Sequence, residues 1–433
     1  SLADFREQNG LYTVLLRGVE EGKPAARSRL ITCVHDAVDC YAEYEKYTAY
    51  ARLDTLRFVV SNTTEAGIVL DENDRFELTP PATYPGKLTK LLYERACHFD
   101  FAPDKGLILL QVELIDDNGK ELKRCVYALA RKWALGDRFL RWLDEACVFA
   151  STLVDRIVTG YPRDEAPQIW AKLGYEDRLL VTGEPFALWV IESEKDISAE
   201  LPLAKCGLPV LFTEDQKPYK QRKVRILNGA HTSFVPASFL CGHDTVLESM
   251  QDPLIRGFMQ HTLYNEVIPT LSLPRDDLLR FAKAVTERFE NPYIRHALLS
   301  ICLNSVSKWR ARCMPSLLGY LERAGELPPR LTFSLAALMA LYRGGTLEDG
   351  ALQCMRGNER YALRDDGAVL GFFATRSKLS PAEMAAEFVA REDFFGPELA
   401  KVPGLAQAVG EALAEIETDG MRAAMERRFG GDR

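Results

Sequence analysis

The chain has 433 residues, 47% hydrophobic and 27% charged, which is enough apolar material for two or three domains with buried cores. Its 54 Lys and Arg against 62 Asp and Glu leave a net charge of −8, which excludes the electropositive footprint of non-specific nucleic-acid binding. No apolar run approaches the roughly 20 residues that cross a bilayer, no secretory leader pattern opens the chain, and ten scattered cysteines form no C-x-x-C pair.

These features predict a protein of the reducing cytoplasm, with free thiols, no metal and no membrane or nucleic-acid partner. Taken in chain order, Leu11–Gly18 reads as a strand ended by a glycine, and Arg29–Val34 and Leu56–Val60 as two more. From Pro85 to Cys97, Leu88, Leu91, Leu92 and Ala96 recur at spacings of three or four and predict a helix. Gly106–Val112 is almost continuously apolar, the pattern of a strand covered on both faces. Further β-like runs lie at Leu179–Thr182, Phe186–Ile191 and Leu208–Phe212. Strands alternating with helices predict an α/β class, with a Rossmann-like doubly wound domain and additional strands over residues 1–217.

From Pro218 onward helical periodicity takes over, predicting a mostly α-helical domain over residues 218–433. Helices are expected at Val224–Phe239, Asp252–Ile268, Asp276–Phe289, Tyr293–Arg312 and Leu331–Tyr342. Ser380 is placed to cap another, with Pro381 in its first turn. Apolar helix faces serve equally as core or as subunit interface, so they define no oligomeric state.

Chemistry concentrates in Lys217–His231. On an α-helix of about 100° per residue, Lys220 lies about 60°, His231 about 80° and Asn228 about 140° from Lys223. A lysine can exchange a proton with a carbonyl or alcohol oxygen, while an amide and an imidazole can donate to an oxygen gaining charge. The same residues also suit an ordinary solvated basic face. Val59–Gly67 runs from a strand into a polar loop with Asn62, Thr63 and Glu65, where a doubly wound sheet would form its ligand crevice, or simply a turn. Asp155 and Arg156, adjacent in an apolar context, read as a structural ion pair. There is no G-x-x-x-x-G-K-[ST], G-x-S-x-G, H-E-x-x-H or G-x-G-x-x-G, and six histidines do not cluster as zinc ligands.

Together these segments resemble the polyol-specific long-chain dehydrogenase/reductase family, which includes mannitol dehydrogenases and hexuronate reductases. Lys223-Val-Arg-Ile-Leu-Asn-Gly-Ala-His231 is similar to its signature K-x-R-x-L-N-x-x-H. Phe58–Ile68, Glu113–Gly119, Ser151–Asp164, Lys217–Lys220 and Asn291–Ile301 look like the hexuronate-reducing branch, so the likeness spans nearly the whole chain. The resemblance implies an NAD-linked, zinc-independent reduction of a small keto-uronate, D-tagaturonate to D-altronate, with fructuronate to mannonate as the nearest alternative. A scaffold relative without cofactor is the alternative of another class. By the same resemblance Lys223 is the general acid/base, Asn228 an oxyanion stabiliser and His231 a substrate-orienting group. Arg225 and Lys308 fall to substrate binding, and Asn62, Thr63, Glu65 and Asp155 to the cofactor.

Departures from the family pattern are informative. Lys220 stands where mannitol-type enzymes carry a glutamate, Ser300 where they carry an arginine, and Leu114 where they carry an asparagine. A cation in place of an acid suits a substrate that bears a carboxylate, so Lys220 or Lys308 is expected to bind it. The family's first strand, glycine-rich turn and ribose-binding acid are not among these residues, and the expectation is that the natural protein carries such a front. Without that segment the chain holds no signature separating NAD from NADP.

Overall fold

The computed structural model describes residues 1–64 and 66–432. The chain divides into two units, one of residues 1–17 and 25–217, the other from Pro218 onward together with residues 18–24. Up to Thr213 the strands are β1 (Tyr12–Glu20), β2 (Lys23–Ile31), β3 (Phe58–Ser61), β4 (Ile108–Gln111), β5 (Val148–Asp155), β6 (Val158–Gly160), β7 (Val181–Gly183), β8 (Leu188–Glu192) and β9 (Val210–Thr213). Five of them form a sheet in the order β3-β4-β5-β8-β9. Within it β3, β4 and β5 run parallel, β8 is antiparallel to β5, and β9 is parallel to β8.

β4 shows why its sequence is apolar throughout. Ile108 and Leu110 face a core with Val148, Ala150, Ile191, Ile197 and Val210. Leu107 and Leu109 face the other way, into a core with Leu88, Leu91, Leu92 and Ala96 of the Tyr84–His98 helix and Leu122 and Val126 of the Asn118–Lys132 helix. The two-residue period of a strand thus sends alternate side chains into two separate layers. The Rossmann-like expectation holds, with two refinements. The main sheet is mixed rather than all parallel, and β1 belongs to a second sheet, β2-β1-β7-β6, where Val14 and Leu16 pair with Val181 and Gly183. Such pairings join residues far apart in the chain, which no local pattern encodes.

The unit from Pro218 onward is mostly helical, as expected. Its Pro329–Tyr342 helix is apolar all round and buried along almost its whole length, packing on the Gly229–Leu240 and Leu405–Asp419 helices. Ser380 forms the expected capping box, its hydroxyl accepting from the Glu383 N–H. Two features differ from the sequence reading. The stretch Tyr293–Arg312 is no single helix: Asn304 adopts a left-handed φ of 52° and separates a short turn at Leu298–Ile301 from the Ser305–Arg312 helix. A small antiparallel sheet also intervenes, of β10 (Thr346–Glu348), β11 (Ala351–Arg356) and β12 (Glu359–Leu363). Its first turn is Asp349-Gly350, both at positive φ, a hairpin signal that the surrounding helical texture masks. No helix among the described residues is long and apolar enough to cross a membrane.

Candidate active site

Lys220 lies in a short α-helix, Lys217–Arg222, but the six residues that follow the helix, Lys223–Asn228, form a π-helical turn before the α-helix resumes at Gly229–Leu240. The Gly229 N–H reaches back five residues to the Val224 carbonyl. This corrects the straight α-helix read from the sequence. An i→i+5 turn holds roughly 4.4 residues, so Asn228 swings from about 140° to about 50° from Lys223, and His231 comes within about 10° of it. The wider turn therefore lines Lys223, Asn228 and His231 along one face better than an α-helix would. All three, and Lys220, are half-buried.

Contacts from distant parts of the same unit hold this turn. The Arg225 guanidinium donates to Ser316 Oγ at 2.6 Å through Nε and to Thr270 Oγ1 at 2.7 Å through Nη2. Burial pushes its pKa down to about 10. Thr232 Oγ1 donates to the Asn228 carbonyl at 3.0 Å, and a Cβ on Gly229 would come within 3.2 Å of the Arg312 carbonyl oxygen. Arg225, expected to meet substrate, commits Nε and Nη2 to a brace that reaches 91 residues along the chain.

His231 lies at the centre of a second group. Its ring stacks on Phe289 with centroids 4.1 Å apart and meets the edge of His296 at 5.2 Å. Its Nε2 is buried without a hydrogen-bond partner among the described residues. Burial pushes this imidazole well below the ordinary histidine value, and His296, Arg312, Arg288 and Lys308 push it the same way. It is therefore neutral, and available to donate or accept a hydrogen bond. Lys308 belongs to this group as well; its Nζ donates to the Ile301 carbonyl at 3.0 Å, and burial, then Arg312, lowers its pKa. The sequence reading missed Arg288, His296 and Arg312. A signal was present: the Ser305–Arg312 helix carries three cations and no acid.

In the first unit, Asn62 and Thr63 follow β3 and are exposed, Asp155 ends β5 and is buried, and Glu65 lies outside the described residues. Thr63 is anchored by a residue that sequence reasoning passed over as part of a polar loop. The buried Glu113 carboxylate accepts from Ser61 Oγ at 3.0 Å, the Thr63 N–H at 3.0 Å and Thr63 Oγ1 at 2.8 Å. Asn118 ties the neighbouring strand ends together, donating to the Gln111, Glu113 and Thr152 carbonyls and accepting from the Thr152 N–H. Next to it Gly119 has no room for a side chain, since a Cβ would lie 2.5 Å from the Ala150 carbonyl group. The expected Asp155–Arg156 ion pair does not form. Arg156 lies just past the end of β5, and its guanidinium donates to the Phe186 and Pro185 carbonyls instead.

A Rossmann-like unit followed by a helical one, with a lysine, an asparagine and a histidine brought to one face, defines a two-domain dehydrogenase of the polyol type. Residues 1–205 match the mannitol dehydrogenase Rossmann domain, and residues 215–417 the mannitol dehydrogenase C-terminal domain. The chain belongs to the mannitol dehydrogenase family and is an oxidoreductase acting on a CH–OH group. Among curated relatives it is similar to altronate oxidoreductase of Pectobacterium atrosepticum, 48% identical over 427 residues, covering 97% of this chain and 86% of that protein. The altronate oxidoreductase of Klebsiella pneumoniae is 46% identical over 426 residues, with the same coverage. Two solved structures share the fold. Mannitol 2-dehydrogenase of Pseudomonas fluorescens, in a ternary complex with NAD and D-mannitol, is 22% identical with a TM-score of 0.63, over 98% of this chain and 84% of that one. A D-sorbitol dehydrogenase in substrate-free form is 21% identical with a TM-score of 0.80, over 98% and 85%.

Proposed function

We propose that this protein reduces the keto group of D-tagaturonate to D-altronate, reversibly, with NAD as its cofactor. The observation that carries the reading is the 46–48% identity to altronate oxidoreductases along 96–97% of the chain. In this reading residues 1–217 bind the cofactor, and residues 218–433 bind the substrate and move the proton.

The polar ends of the first unit's strands suit a dinucleotide. Gln111, at the end of β4, is fully buried with neither amide atom hydrogen-bonded among the described residues, and Asn62 and Thr63 are exposed beside Glu113. Asn62, Thr63 and Asp155 would hold the group, which when bound supplies or accepts the hydride. Lys223 donates its ammonium proton to the carbonyl oxygen during reduction and takes it back during oxidation. The Asn228 amide donates to the same oxygen as its charge grows, and the neutral His231 orients the substrate hydroxyls. The face that the π turn shares among these three residues supports the division of roles.

NADH oxidation by the purified protein, with tagaturonate, fructuronate and fructose compared side by side, tests the reading. Tagaturonate is expected to turn over fastest. Preference for fructose, or no turnover of either uronate by the folded protein, overturns it.

A further inference from the structure

We propose that Arg312 and Lys308 together grip the carboxylate of the keto-uronate, making Arg312 a specificity-determining residue of the site. The inference rests on the reading of the protein as a keto-uronate reductase and adds to it the group that recognises the acid.

Lys308 and Arg312 are four residues apart on the Ser305–Arg312 helix, so they share a face, an arrangement that costs stability through like-charge repulsion. Neither forms an ion pair among the described residues. Arg312 is half-buried, and its one described hydrogen bond is to a neutral group, the Thr232 hydroxyl, at 3.3 Å. Lys308 donates to the Ile301 carbonyl, and Asp365 acts on it beyond ion-pair distance, its carboxylate engaged by the Tyr342 hydroxyl and the Val306 N–H. Three other half-buried arginines of this unit have acid partners, whereas Arg225 rests on two hydroxyls in the brace described above. Arg330 pairs with Glu266, Arg343 with Glu417, and Arg356 with Asp244 and Glu359.

Thr232 follows directly on His231, so the hydrogen bond from Arg312 ties the cation to the helix that carries the proposed substrate-orienting histidine. Around that histidine, Phe234, Phe289 and His296 form ring contacts, and none of them brings an acid. Removing two cations from water without an ion-pair partner is costly, and a bound carboxylate offsets the cost. The guanidinium supplies a planar fork that matches both carboxylate oxygens, and the ammonium a point charge beside it. A neutral sugar offers neither oxygen and leaves both cations without an ion-pair partner, which gives discrimination without any added steric barrier.

The test is steady-state kinetics on the full-length protein with NADH and D-tagaturonate, for wild type, Arg312→Gln, Arg312→Lys and Lys308→Met. Loss of a charged hydrogen-bond partner is expected to raise KM about 10- to 100-fold in Arg312→Gln with a much smaller change in kcat, and D-altronate should weaken as a product inhibitor in parallel. Arg312→Lys, which keeps the charge, should recover part of that loss. Lys308→Met should raise KM too, and serves if Arg312→Gln does not fold. An unchanged KM, or a fall in kcat alone, overturns the assignment while leaving the keto-uronate reading intact. Absence of keto-uronate turnover in the wild type removes that reading itself. Preference for a ketose phosphate over the uronate would assign the two cations to a phosphate and overturn the carboxylate assignment.

Discussion

Replacing Arg225 with methionine separates a brace from a substrate contact. The substitution keeps an unbranched apolar stem and removes the guanidinium. Two charge-assisted hydrogen bonds are lost, each contributing about 1.5–3 kcal/mol. Ser316 is fully buried and its hydroxyl loses that acceptor role, whereas Thr270 keeps its 2.7 Å bond to the Val267 carbonyl. Against this, a cation whose pKa burial lowers to about 10 no longer has to be desolvated. The net expectation is a loss of about 1–3 kcal/mol, read by urea unfolding. Because the brace holds the π turn, Asn228 should relax toward the α-helical direction, away from Lys223. The kinetic signature is then a kcat reduced by about tenfold or more with KM nearly unchanged. Arg225→Lys should not restore it, since an ammonium cannot span both hydroxyls as the fork does. A raised KM with unchanged kcat and unchanged stability would refute the reasoning and return Arg225 to the substrate.

Three further outcomes follow from the same geometry. Lys223→Met should lower kcat by about 10²- to 10⁴-fold; a loss confined to KM would remove the lysine from proton transfer. In Gly119→Ala, the new methyl meets the Ala150 backbone, so stability should fall by about 1–3 kcal/mol, and an unaffected urea midpoint would contradict the close approach. For His231, the folded pKa is lowered from the ordinary 6.5, so the unfolded chain takes up the proton first as pH falls. Stability owed to His231 is therefore full above that value and declines as pH drops toward the folded pKa. The stability difference between wild type and His231→Gln should narrow from about pH 7.5 to about pH 5.5, and a difference independent of pH would show that burial does not hold the ring neutral.

What the sequence determined by itself was local. The continuous apolar run at Ile108–Gln111 requires cover on both faces, and the sheet provides it. Spacings of three and four define the Tyr84–His98 and Arg275–Phe289 helices, and Ser380 with Glu383 closes a capping box four residues wide. The Lys223–His231 motif likewise identifies the family without any fold. Only the tertiary structure decided how that motif is wound. An α-helix and a π turn differ by one residue per hydrogen bond, a choice made here through Ser316 and Thr270, which lie 91 and 45 residues from Arg225. The same holds for the anchoring of Thr63 by Glu113, 50 residues away, and for the gathering of Arg288, His296, Lys308 and Arg312 around His231. Local pattern reports the period of a segment and the side it must bury. Which charges end up facing one another, and which are left without a partner, depends on the packing of segments distant in the chain.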